Sequence, residues 1–575
     1  MTTSGKQISP RHVQSSPRAM ALAYWHALNA PDHRIARALR CSVEEIATAP
    51  VRDTFDNIAA PHSATPWLRR TATTLIRQAF DRPAGDQLVF VAGEGALTVG
   101  DVRDIVARLC GGLVRHGIGK TAMVAVDASQ RLETYLVTLA ALLQGATVIR
   151  LGDTVGAAGL RAMVRAAPAQ ITFSDRFDVI GDTPDTGHRV PLGEFAAFVA
   201  DCPEPAGDPW AALPAVAPDD AALVGFTSGS TGEPKAMQTS HEAVFRSTEA
   251  AQQIFAFDAE DIFCTATDFT ALSAFRSLFT LPFVSGGRVV LPDQEARTNP
   301  LALALLCERY GITRLTAVPG VLRAFAKAGS RISADTLTDM RTVFSGSGVL
   351  DRATAALMRD RFGMPVVDYY GGRELATAAY ADPDSTDTMS AGGGYLCNCL
   401  AIIADDAGRP AAPGQTGGIA VHSDSLTLSD LPSIRIDGDW AGWHFTGDLG
   451  RILPSGRLEI IGRRKDIIKA PDGTLVSPAE IEGALNALDW IAEASVFSWT
   501  DDEAIERIGA AIIVSGAPAQ GSERQAKAAV QAALGDAMTP AHVLVLDDLP
   551  RVAQNKPDKP RLRQMLTNHV KATTS

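Results

Sequence analysis

Thr227, Ser228, Gly229, Ser230, Thr231, Gly232 and Lys235 stand in one short run, TSGSTGEPK, between the apolar AALVGF and the helical pattern HEAVFRSTEAAQQIF. The run is too poor in apolar residues to be core. A glycine- and hydroxyl-rich turn exposes backbone N–H groups with few side chains in the way, and that suits phosphate oxygens. Serine and threonine hydroxyls add donors. Lys235 adds a mobile positive charge, useful where negative charge shifts during reaction. The run is not a Walker A loop, because Gly232 is followed by Glu-Pro-Lys rather than directly by Lys-Ser or Lys-Thr. The alternative reading of the run by itself is a flexible loop.

Four further runs follow in order: SGSGVL at 345–350, YYGGRE at 369–374, WHFTGD at 443–448 and GRRKD at 462–466, with LPRVAQNKPDK near the end. Together with TSGSTGEPK they resemble the adenylate-forming (AMP-binding) enzyme superfamily: acyl- and aryl-CoA synthetases, nonribosomal peptide adenylation domains and luciferases. The resemblance covers roughly residues 67–570. It implies that 227–232 and Lys235 hold the phosphates of ATP, and that Gly346 and Ser347 line the adenine and acyl pocket. It places Tyr370 and Gly371 against the adenine and makes Glu374 a ligand of Mg2+, a hard ion suited to carboxylate and phosphate oxygens. Asp448 would accept hydrogen bonds from the ribose hydroxyls, and Arg463 would reach ribose or phosphate. Lys465 falls on the hinge between the large and C-terminal domains, and Lys556 on the catalytic lysine. Two positions depart from the family pattern: Arg373 replaces a threonine, and Asn555 replaces a glycine.

The implied reaction is attack of a carboxylate on the α-phosphorus of ATP, with loss of pyrophosphate, giving an acyl-adenylate. Transfer to a thiol then gives a thioester and AMP. The acceptor is coenzyme A or a phosphopantetheinyl carrier protein. The short run from Asp448 to Lys465 leans towards coenzyme A, because fatty-acyl-AMP ligases carry an insertion before the hinge. A stand-alone enzyme that loads an amino, aryl or fatty acid onto a separate carrier is the alternative, since no carrier sequence follows within these residues. A reading of another class is a non-catalytic nucleotide-binding relative, motivated by Arg373 and Asn555. The acid itself is expected in CTATDFTALSAFRSLFTLPFVSGG, where Asp268, Phe269 and Arg276 are candidates for the acyl pocket. Phe269, Phe275 and Phe279 of that run serve equally well as core.

These residues need a scaffold. Helical and strand patterns alternate from VGDVRDIVARLCGGLVRHGI onwards, which is the sequence form of βαβ units on mostly parallel sheets. The expected fold is α/β: a large N-terminal domain of two layered βα subdomains plus a small β-barrel-like subdomain at 396–464, then a small mobile α+β C-terminal domain. The expected division is an N-terminal extension at 1–66, a large adenylate-forming domain at 67–464 and a lid domain at 465–575. The extension carries six basic residues and one acidic residue within 1–40, with helical patterns AMALAYWHAL and RIARALR; a surface arm or a transit peptide would look like this.

Bulk properties exclude several classes. A formal net charge of −12 argues against non-specific binding to nucleic acid or acidic membranes, so an anionic ligand needs a local site. Seven cysteines in 575 residues do not form a disulfide framework, and the close pair Cys397 and Cys399 lacks zinc-knuckle spacing. The longest apolar run, YLVTLAALL, is about half of what a bilayer requires. No membrane span is expected, and the expected compartment is the cytoplasm.

Overall fold

A computed structural model describes residues 71–574, with internal exceptions of which 229–233, 373–375, 382–392, 423–442 and 553–555 bear most on the site. The N-terminal helical patterns before residue 71 lie outside the described residues.

The chain opens with β1 (Gln87–Val91) and β2 (Gly95–Thr98), then builds β3 (Met123–Asp127), β4 (Thr147–Leu151), β5 (Ile171–Phe173), β6 (His188–Val190), β7 (Ala221–Ser228) and β8 (Pro234–Ser240). Strands β3 to β8 form a six-stranded sheet in the order β6-β5-β3-β4-β7-β8, parallel except for β8. Helices of strong apolar pattern connect these strands. Leu132–Leu143 carries the run YLVTLAALL and buries ten of its twelve residues, which is why its sequence lacks a polar face.

The next strands are β9 (Ile262–Thr265), β10 (Arg288–Leu291), β11 (Arg314–Ala317), β12 (Thr342–Ser345) and β13 (Val366–Gly372). With β1 they make a parallel array in the order β13-β12-β11-β9-β10-β1. Thus β1 pairs with β10 across two hundred residues of intervening chain. Antiparallel strands then extend the same sheet beyond β13: β14 (Ala376–Tyr380), β15 (Gly393–Leu396), β16 (Leu400–Ala404), β17 (Gly417–His422), β18 (His444–Ile452) and β19 (Leu458–Arg463). The short strands read from the sequence after residue 396 are this antiparallel portion.

One apolar core runs between the two sheets. Val124, Val126 and Val148 of the first share it with Val89, Val289 and Leu291 of the second, through the helices around Leu139 and Phe279. Each such side chain taken out of water contributes about 1.5–3 kcal/mol, so this shared core couples the two layers.

The C-terminal domain has cores of its own, around Ile481, Val496 and Ile512 and around Phe497, Leu562 and Leu566. Its strands are β20 (Ile468–Lys469), β21 (Leu475–Val476), β22 (Ile491–Thr500), β23 (Glu506–Val514), β24 (His542–Leu546), β25 (Arg551–Val552) and β26 (Lys556–Pro557), packed with helices Pro478–Asn486, Ser522–Leu534 and Lys559–Thr574. At the seam with the large domain, Lys327 Nζ donates to the carbonyls of Asn486, Leu488 and Ile491 at 2.7, 3.0 and 2.6 Å. Among the described residues no helix is long and apolar enough to cross a membrane. Cys110, Cys202, Cys264, Cys307 and Cys399 are buried and not joined in disulfides.

Candidate active site

The carboxyl ends of parallel strands are where open α/β sheets bind ligands, and SGSGVL and YYGG lie there. Strand β12 ends at Ser345 and delivers Gly346 and Ser347; its neighbour β13 delivers Tyr369 and Tyr370. Gly346 is dictated by packing. A Cβ built on it would stand 2.1 Å from Cζ of Tyr369, so only a hydrogen lets the phenol ring lie on the turn. Ser347 has φ +65°, a left-handed backbone that costs a non-glycine residue about 1–2 kcal/mol. Strain of this kind collects where a site needs an unusual turn.

Tyr370 Oη donates to Asp448 Oδ2 at 2.6 Å. Arg463 Nε lies 2.9 Å from the other oxygen, Oδ1. The arrangement follows from strand register: Asp448 on β18 and Arg463 on β19 are direct antiparallel partners, so the hairpin places charge opposite charge. The Asp448 amide donates to Thr446 Oγ1 at 3.1 Å, and Thr446 Oγ1 donates to the Ile419 carbonyl, fixing the turn before the carboxylate. Burial pushes the Tyr370 hydroxyl well above its ordinary pKa, and the Asp448 charge adds to that, so the phenol stays a donor. Asp448 is 7% exposed while Arg463 is largely in solvent. The result is a shielded carboxylate held in a fixed direction, which suits recognition of paired hydroxyls.

The ends of TSGSTGEPK form a hairpin: Thr227 pairs with Lys235 and Ser228 with Pro234 across β7 and β8. The side chains of Thr227 and Ser228, and all of Gly229, Ser230, Thr231 and Gly232, lie outside the described residues, whereas Lys235 is exposed on β8. A strand therefore follows the loop where the sequence suggested a direct passage to helix His241–Phe255. On this strand Lys235 and Gln238 are exposed while Met237, Thr239 and Ser240 are buried. Glu374 and Arg373 lie outside the described residues, as does Asn555. Gly371 sits on β13 opposite Thr377. Lys556 pairs through its backbone with Val552, its side chain being outside the described set. Lys465 is exposed in the short turn Arg464–Asp466 that joins β19 to β20.

The segment after β9 is laid beneath the same strands. Asp268 Oδ1 accepts from the amide and hydroxyl of Thr270 at 2.7 and 2.6 Å, closing the turn. The Phe269 ring is 1% exposed and packs on Phe279 within the core shared by the sheets. Arg276 is buried against Tyr369. Sequence reasoning missed Arg150, a 2% exposed residue of β4 whose Nη1 donates to the carbonyls of Phe269 and Ala271 at 3.1 and 3.0 Å. It positions the segment, and no local signal marks it, since TVIRL reads only as a strand. Among the described residues no cluster of three or more His, Cys, Asp or Glu could hold a metal.

Known proteins resemble this chain in sequence and fold. The family described as "AMP-binding enzyme" matches residues 76–429, and "AMP-binding enzyme C-terminal domain" matches 480–556. An indoleacetate–CoA ligase of Aromatoleum aromaticum is 28% identical over 493 residues, covering 82% of this chain and 94% of the relative. The anthranilate CoA ligase AuaEII, solved with anthranoyl-AMP, superposes with a TM-score of 0.79 at 20% identity, over 88% of this chain and 98% of that one. The amide bond synthetase McbA of Marinactinospora thermotolerans gives a TM-score of 0.73 at 24% identity, over 86% and 99%. At these identities the two solved structures speak for the fold. The family match spans more than half of the sequence, and the chain belongs to the AMP-binding enzyme family of adenylate-forming ligases.

Proposed function

We propose that this enzyme activates a small carboxylic acid with ATP and passes the acyl group to the thiol of coenzyme A, releasing AMP. The adenylate-forming part of that statement is the family's general chemistry. The observation that carries its placement here is the Tyr370–Asp448–Arg463 group beside the Gly346 turn. ATP, taken as its Mg2+ complex, would lay its ribose hydroxyls on Asp448 and its adenine along Tyr370 and Gly371, with Gly346 and Ser347 beneath. Gly229 to Gly232 and Lys235 would take the phosphates, and Glu374 is the proposed protein ligand to the ion. Two anions must meet in this step, so Lys556 is proposed to bridge the incoming carboxylate and the α-phosphate.

The second half-reaction needs Lys556 removed and a thiol admitted, which a swing of the C-terminal domain about Lys465 would accomplish. A relative supports the thiol acceptor, since an indoleacetate–CoA ligase is among the similar proteins. The acceptor is tested by incubating the enzyme with ATP and a productive acid, then with either coenzyme A or a phosphopantetheinylated carrier protein. Thioester formation on coenzyme A is expected. Transfer to the carrier alone would replace this acceptor with the carrier-loading reading.

A further inference from the structure

The helix beneath the site is interrupted. Leu272–Phe275 and Leu281–Ser285 are α-helical, and between them Arg276–Thr280 forms one π-helical turn. Single π-helical turns within α-helices are rare and are frequently found at functional sites. The side chain at the head of this turn is the guanidinium of Arg276, 5% exposed.

Its partners are few and neutral. Nη1 donates to Thr377 Oγ1 at 2.6 Å and to the Ser247 carbonyl at 3.4 Å. Nε is enclosed with no hydrogen-bond partner. The side-on edge formed by Nε and Nη2, which fits a carboxylate with two parallel bonds, meets no acceptor among the described residues. Tyr369 and Tyr380 present their rings at 6.0 and 5.9 Å from Cζ. Two comparably buried arginines are paired with carboxylates, Arg314 with Asp261 at 2.8 Å and Arg323 with Asp351 at 2.7 Å, whereas the still more buried Arg150 is held by the carbonyls of Phe269 and Ala271. A buried cation normally demands a counter-charge. Arg276, unlike Arg314 and Arg323, has none among the described residues.

Its location says what could supply one. The Tyr369 phenol that faces Arg276 also lies on Gly346 and stands beside the hydroxyls of Ser273 and Ser347. Arg276 is thus one aromatic ring away from the turn that lines the nucleotide site. We infer that Arg276 is the counter-charge for a second carboxylate on the substrate, and that the enzyme activates one end of a dicarboxylic acid. The inference rests on the adenylating function proposed above. One carboxylate oxygen bonds to the α-phosphorus as the bond to pyrophosphate breaks. The other carboxylate stays ionised on the Nε/Nη2 edge and sets the direction of the molecule.

The test compares acids that differ only in the second carboxylate: succinate with butyrate, and isophthalate with benzoate. Acid-dependent ATP–pyrophosphate exchange should favour the better diacid over its partner by about 100-fold in kcat/KM, the scale of a buried charge pair. Arg276→Gln should erase that preference while ATP binding is kept. Arg276→Lys keeps the charge without the fork, folds more readily and should retain part of the preference. A thermal shift of the wild type by the diacid alone, absent in Arg276→Gln, reads binding without catalysis. Equal use of both members of each pair by the wild type, or a preference that survives Arg276→Gln, overturns the inference and leaves adenylation standing. Diacid-dependent stabilisation through Arg276 without exchange would keep Arg276 as a carboxylate site and overturn both the activation of the diacid and the proposed reaction.

Discussion

In the proposed function, nucleotide recognition turns on Asp448. Its two oxygens are already oriented by Tyr370 and Arg463, so the ribose meets a fixed acceptor. Asp448→Ala should raise the dissociation constant for ATP by about 10- to 100-fold, the scale of one or two hydrogen bonds to a charged group, as read by calorimetry. An unchanged affinity would detach Asp448 from the nucleotide. Asp448 and Arg463 were marked in the sequence by the resemblance that TGD and GRRKD carry, whereas their pairing comes from the hairpin register. Arg150 and the counter-ion-free state of Arg276 were not legible, since both depend on residues about a hundred positions away. His241 gives a further expectation at this scale. Burial lowers its pKa from 6.5 to about 4, the nearby Asp220 opposing and Lys120 adding, and neither ring nitrogen has a partner. The folded state therefore refuses a proton that the unfolded state accepts. Its contribution is intact above pH 6.5 and is lost as pH falls towards 4, by up to about 3 kcal/mol. Denaturant midpoints measured between pH 7 and 4.5 should show this fall, and His241→Leu should flatten it.

Among the elements, β12 and β13 matter most, because their carboxyl ends hold the Gly346 turn and the tyrosine pair at adjacent positions. Gly346→Ala must push the Tyr369 ring aside, an overpacking that costs about 1–3 kcal/mol. Lower thermal stability and weaker ATP binding together are expected; a neutral substitution would contradict the packing role of that glycine. The parallel strands were legible as apolar runs between helical repeats. Strand β8 was not, because an edge strand rich in polar residues resembles a loop tail. The π-helical turn at Arg276 leaves no compositional mark, since its residues would suit an ordinary helix equally well.

At the scale of the whole molecule, two sheets share one core while the C-terminal domain keeps its own, the division that the proposed swing requires. Lys327 ties that seam through three carbonyls near the end of helix Pro478–Asn486, and burial lowers its pKa. Lys327→Met should loosen the C-terminal domain, seen as proteolysis near Lys465 that is about tenfold faster, the equivalent of one charged hydrogen bond. No change would mean that apolar contacts alone hold the seam. The net charge of −12 repels anionic substrates, so phosphate and carboxylate capture must come from the few cations at the site. The most direct test is exchange of labelled pyrophosphate into ATP by the purified enzyme across fatty, aryl, amino and dicarboxylic acids. Acid-dependent exchange that falls by about 100-fold or more in Lys556→Ala is predicted, the scale of losing an electrostatic contact to the reacting centre. Nucleotide binding with no exchange for any acid, or exchange undiminished in Lys556→Ala, would contradict it.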